Sequence, residues 1–138
     1  MPRVRVPVTK IPQLAGAAGG ALLVGPANAA SVMIAFDNTN DHEMVNNGAT
    51  VLVAQNTANA AATFNIDSVP SPLNGRLGDI TVVVPAYVSA TQNALAFVGP
   101  FPPSLYSQGD GGNRVHIDSA AAPATLFLMG LDLSVRSL

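Results

Sequence analysis

The sequence predicts an all-β domain: a single β-sandwich, jelly-roll-like, of about eight strands behind an extended N-terminal arm. Three observations predict it. Short apolar runs, several alternating with period two, recur from residue 31 to residue 133. Turn residues separate them at about the spacing of sandwiches and barrels. No stretch keeps an apolar i, i+3, i+4 pattern past the next proline or glycine, so no amphipathic helix is expected.

The arm comprises residues 1–30, and the sandwich domain residues 31–138. MPRVRVPVTK carries Arg3, Arg5 and Lys10, half of the six basic residues of the chain. A basic start, an apolar middle and Ala-Asn-Ala ending at Ala29 give the outline of a secretory signal. Pro12, Gln13 and several glycines interrupt that middle, however, and nothing approaches the roughly 20 apolar residues of a membrane span. The segment is therefore expected to stay as an arm laid on its own domain or on a neighbour. Within it Val4, Val6 and Val8 alternate with Arg3, Arg5 and Pro7, the pattern of a short edge strand, because proline cannot donate to a central ladder.

Seven further strands are expected: SVMIAF (31–36), TVLVAQN (50–56), ATFNID (62–67), DITVVVP (79–85), ALAFVG (94–99), RVHID (114–118) and TLFLMGLDL (125–133). Alternation assigns their faces. Phe64 and Ile66 point inward, with Asn65 and Asp67 outward; Ile80, Val82 and Val84 point inward, with Thr81 and Val83 outward. Val115 and Ile117 go in, leaving Arg114, His116 and Asp118 outside. The last strand is apolar on both faces, so it is covered either twice within the fold or once by a partner.

Between the strands, GPFPPSLYSQGDGGN (99–113) is stiff and weakly charged. Pro100, Pro102 and Pro103 restrict the backbone and remove amide donors, so the segment is expected to form a rigid crossover rather than a strand. Phe101, Leu105 and Tyr106 are its expected anchors on the sandwich, and Gly109, Gly111 and Gly112 the turn into the next strand.

Composition removes several functions. Charged residues are 10% of the chain, against a usual value of about 25%. A net charge of −2 offers no general attraction to nucleic acid or anionic lipid. The absence of cysteine excludes disulfides, thiolate metal sites and Cys nucleophiles. An exterior built from small uncharged residues suits packing against other proteins. His116, Asp118 and Ser119 supply the residue types of a hydrolytic triad, but neighbours on one exposed strand lack the convergent geometry that such catalysis needs. DNTNDHE (37–43) offers oxygens of Asp37, Thr39, Asp41 and Glu43 for a loose Ca2+ loop, yet departs from the EF-hand, with His42 where the invariant glycine belongs. A solvated loop is the simpler expectation, and no catalytic residue, cofactor or metal is assigned.

Three segments carry a resemblance: NNGATVLVAQNT (46–57), NGRLGDITVVVP (74–85) and VGPFPPSLYSQGDGGNRVHID (98–118). An Asn-Gly strand start, a strand ending in Asn, a D-x-T-V-x-V-P strand and a Gly-Pro-Phe-Pro-x-x-x-Tyr segment together resemble the head decoration, or cement, proteins of tailed phages. Gly99, Pro100, Phe101, Pro102 and Tyr106 are its most specific part. The chain departs from the pattern between Pro85 and Gly99, where AYVSATQNALAFV is longer, and in its first thirty residues, which are rich in Ala and Gly.

The resemblance implies a structural virion protein on the outer surface of the capsid. It would bind the expanded shell of the major capsid protein, bridge capsomers and associate with itself as a homodimer or homotrimer, with neither nucleic acid nor membrane as partner. Arg3, Arg5 and Lys10 are the expected contacts to an acidic shell surface. The alternative is a secreted or surface carbohydrate-binding β-sandwich, which would use the Ala29 outline but has five Phe, two Tyr and no Trp to build a sugar platform.

Overall fold

A computed structural model describes residues 2–10, 33–69, 78–87, 94–109 and 112–134. Ten strands and one helical turn follow in chain order: β1 (Val4–Arg5), β2 (Val8–Lys10), β3 (Ile34–Ala35), β4 (His42–Val45), β5 (Thr50–Asn56), β6 (Ala62–Ile66), β7 (Ile80–Val84), β8 (Ala94–Val98), α1 (Pro103–Tyr106), β9 (Arg114–Ala121) and β10 (Leu126–Asp132). One sheet has the order β1-β4-β9-β6-β7 and the other β2-β10-β5-β8, with β3 also pairing β10. The protein is thus an all-β sandwich of two sheets.

Its core lies between them. Met44, Phe64, Ile66, Val84, Val115 and Ile117 from the first sheet meet Leu52, Ala54, Leu126 and Leu128 from the second, all fully buried. The period of two places them there: Ile66 pairs with Ile117 across β6 and β9, and Asn65 and Asp118, one residue on, face outward. Val83 stands exposed between buried Val82 and Val84, as alternation requires.

Ten strands form where eight are expected, for two reasons. The arm strand breaks at Pro7. Its first half pairs parallel to β4, Val4 opposite His42, and its second half pairs parallel to β10, Val8 opposite Gly130. The segment thus crosses from one sheet to the other, with Val6 buried at the seam. Val6 donates its amide to the Glu43 carbonyl at 2.8 Å, and the Pro7 carbonyl accepts the Gly130 amide at 2.8 Å. Residues 4–10 therefore belong to the sandwich rather than to a separate arm; residues 11–32 lie outside the described residues.

The second addition is β4, which lies partly in the polar run expected as a solvated loop. It alternates with His42 and Met44 buried and Glu43 and Val45 turned away from the core. His42 fits an inward position because both ring nitrogens are used: Nε2 accepts the Asp37 amide at 2.8 Å, and Nδ1 lies 3.2 Å from the Val4 carbonyl. Its ring also packs edge-on against Phe36.

The two-faced last strand is covered on both sides within the chain. Leu126 and Leu128 enter the core, while Met129, on the opposite face, is also fully buried and pairs with buried Val53 of β5. No helix among the described residues is long and apolar enough to cross a membrane.

Candidate interaction site

Three of the corners at which the chain changes sheets are held by specific side chains. Asn46 follows β4, where the chain leaves the first sheet for the second. Its Nδ2 donates to the Phe101 carbonyl at 2.9 Å and to Ser107 Oγ at 3.1 Å, while its Oδ1 accepts the Gly48 amide at 3.0 Å. Asn56 ends β5, where the chain turns back. Its Nδ2 faces the carbonyls of Ala60 (2.8 Å) and Pro85 (3.1 Å), and its Oδ1 accepts the Ala58 amide at 3.0 Å. Both side chains are buried, so every bond replaces one to water that the position cannot supply.

The third corner is the crossover from β8 to β9. Gly99 has φ of +116°, and a side chain there would press on the Phe101 ring at 3.0 Å and on the Thr50 carbonyl at 3.2 Å. The Gly99–Pro100 peptide is cis. Phe101 turns fully into the core and meets Tyr106 edge to face at 5.8 Å. Pro100, Pro102 and Pro103 stay exposed. Leu105 is only half-buried and holds the crossover through its backbone, its carbonyl accepting the Val69 amide at 2.7 Å.

Residues 103 to 106 form a single helical turn, α1, where no helix is expected. Proline at the first helical position has φ pre-set and no amide to strand. The Pro102 carbonyl accepts from Leu105 and Tyr106, and that of Pro103 from Ser107. Gly112 has positive φ before β9, and Gly111 lies outside the described residues.

The N-terminal cations turn toward the acids of their own domain. Arg3 pairs with Asp118 and reaches Asp67 at 4.0 Å. Arg5, more than half exposed, lies 3.6 Å from Glu43, which Arg114 also contacts at 3.1 Å. Lys10 is in β2, and its side chain lies outside the described residues. Burial, the neighbouring charges of Asp118 and Asp79 and a hydrogen bond with Asp118 push Asp67 up to about 6, against the pull of Arg3. Asp67 therefore takes up its proton at a higher pH than an ordinary aspartate.

The oxygens of residues 37 to 43 do not converge on a common point. The Asp37 carboxylate caps its own turn, accepting the amides of Thr39 (2.9 Å) and Asn40 (3.0 Å). Asp41 accepts the Ser119 amide at 2.8 Å, and Glu43 faces the two arginines. Among the described residues no group of three or more His, Cys, Asp or Glu side chains is placed to hold a metal ion. Asp118, the acid of the apparent triad, is engaged by Arg3.

Among the described residues the exposed large apolar side chains are Val8, Val45, Val83 and Leu133, each on a different segment, and two that share one strand. Leu95 and Phe97 of β8 are 46% and 64% exposed and point away from the core on the same face. Alternation placed this strand, but its position at the end of its sheet has no local signal. Asn46 and Asn56 stand at the two ends of the quoted β5 motif; their spacing around an apolar strand is the signal for them. Against these features, no known family model, curated protein or solved structure matches the chain.

Proposed function

We propose that this chain is a decoration, or cement, protein of a tailed-phage head: a structural virion protein, not an enzyme, that binds the outer surface of the expanded major capsid protein shell and bridges capsomers. It associates with itself as a dimer or trimer and occupies the outside of the virion after synthesis in the host cytoplasm. The observation that carries the reading is the placement of the motif residues. Asn56, Gly99, Phe101 and Tyr106, which bring the resemblance, and Asn46, which adjoins its Asn47-Gly48 strand start, lie at the corners between the two sheets.

The physical properties support it. An expanded shell is thin and loaded from within by packaged DNA, so many weak bridging contacts acting together raise the cost of separating capsomers. A weakly charged surface keeps the desolvation cost of each contact small. Arg5, exposed beyond its Glu43 contact, is the cation best placed to reach an acidic shell, whereas Arg3 is drawn into its own domain. A carbohydrate platform has weaker support, because Phe36, Phe64 and Phe101 are spent in the core.

The test is co-sedimentation of purified protein with expanded and unexpanded shells from its own source genome. Saturable binding to expanded shells alone supports the proposal. Absence of binding to either overturns it.

A further inference from the structure

We propose that the free edge of β8 is a twofold contact between two copies of this chain, pairing antiparallel about Ala96. This deepens the self-association part of the reading above and rests on it. Among the described residues β8 pairs only with β5 and ends its sheet. A sheet edge is a template for another strand unless charge, proline, a bulge or a covering element blunts it. The other outer strands carry or adjoin charge: Arg5 in β1, Lys10 in β2, Asp37 two residues after β3 and Asp79 beside β7. Among the described residues Ala94–Val98 has none of these devices, and no Asp, Glu, Lys, Arg or His occurs in the sequence from residue 80 to residue 109.

That neutrality selects the occupant. An uncharged edge gives a charged partner nothing to pair with and leaves each buried ion unpaid, whereas a second copy presents the same neutral strand. Pairing about Ala96 sets Leu95 opposite Phe97 of the other copy, twice, on the outer face. On the inner side Ala96 meets Ala96 and Ala94 meets Val98, so no bulky side chain opposes another. Phe97 is already cross-strand from Val53, itself cross-strand from Met129, so the new contact continues an apolar row running across the sheet. One β8 edge per copy closes a twofold dimer and leaves neither β8 edge open, which is the condition for a finite assembly.

The test uses the full chain and two charged double variants, Leu95→Lys with Phe97→Lys, and Leu95→Asp with Phe97→Asp. Both positions are exposed, so each variant is expected to keep the thermal unfolding and circular dichroism of the parent. Mass is read by sedimentation velocity across a hundredfold concentration range. The parent is expected as a dimer, each variant alone as a monomer, and their equimolar mixture as a dimer again, because opposite charges then face each other across the twofold. A monomeric or trimeric parent overturns the inference, as does a dimer that persists in both variants alone, or a mixture that stays monomeric. Shell co-sedimentation of the same samples separates the two readings. A monomeric parent that binds expanded shells overturns only the β8 contact, and a β8 dimer that binds no shell overturns only the decoration role.

Discussion

The Asn46 amide donates to the Phe101 carbonyl at 2.9 Å, joining the corner after β4 to the crossover 55 residues later. Truncation to Asn46→Ala removes both of its donors and its acceptor, stranding the buried Phe101 carbonyl and taking the acceptor of the part-buried Gly48 amide. A loss of about 2 to 4 kcal/mol is expected in urea denaturation. Neighbouring Asn47 is exposed, though its Oδ1 accepts from Ala49 and Thr50. Asn47→Ala should cost about 1 kcal/mol or less, and equal losses at the two positions would remove the special role of Asn46.

Phe101 is the one side chain of the Gly-Pro-Phe-Pro segment that enters the core. Phe101→Ala is expected to lose about 3 to 5 kcal/mol, because a ring leaves a cavity that the rigid crossover cannot fill. Pro102→Ala, at an exposed position, should lose under about 1 kcal/mol, mostly through the unfolded chain. Denaturation of both variants under one set of conditions checks the contrast. A Phe101→Ala loss below about 1 kcal/mol would show that the ring is not an anchor.

Gly130 lets β2 lie against β10. A side-chain carbon there would fall 2.7 Å from Val8 Cγ2 and 2.9 Å from Met44 Sδ, both far inside contact distance. Gly130→Ala is expected to destabilise by about 1 to 3 kcal/mol. It should also speed hydrogen exchange at the Gly130 amide, which donates to the Pro7 carbonyl. Adding Val8→Ala should recover part of the loss, and no recovery would place the strain elsewhere.

Asp67 and His42 make stability depend on pH with opposite signs. Asp67 is raised to about 6, above its unfolded value, so the folded state takes up its proton first. Its contribution therefore grows as pH falls from about 6 toward 4 and is absent above both values. Burial lowers His42 below its ordinary value, and protonation would aim a second N–H at the Asp37 amide. Its contribution is present above the unfolded value near 6.5 and is lost as pH falls below it. Asp67→Asn should leave the His42 effect alone. Its melting temperature should fall steadily from pH 7 to pH 4, while the parent stays flatter by on the order of 1 kcal/mol, a figure reduced for solvent screening of a partly exposed pair. Parallel curves for parent and variant would sink the assignment to Asp67.

Much of the sandwich was legible because side-chain direction in a strand is a local property. Residues at ATFNI and ITVVV alternate in sequence and alternate in burial, so their inner faces needed no knowledge of partners. The exceptions show what locality omits. His42 breaks the hydropathy rhythm of β4, since a polar ring is buried when both nitrogens find backbone partners, and those partners come from Val4 and Asp37. The break of the arm strand at Pro7, which the alternation of Val4, Val6 and Val8 does not show, and its transfer from β4 to β10 depend on two strands far along the chain.

The interaction surface divides in the same way. Sequence alone determined an all-β chain with little charge, a rigid aromatic crossover and one strand apolar on both faces. Tertiary structure decided that the two-faced strand β10 is covered and that β8, with Leu95 and Phe97, carries the exposed apolar edge. It also brought Asp67 beside Asp118 and Asn46 beside Phe101. Backbone alternation follows from each residue's own geometry, whereas the end of a sheet, a raised carboxyl and a satisfied buried amide exist only once distant segments meet.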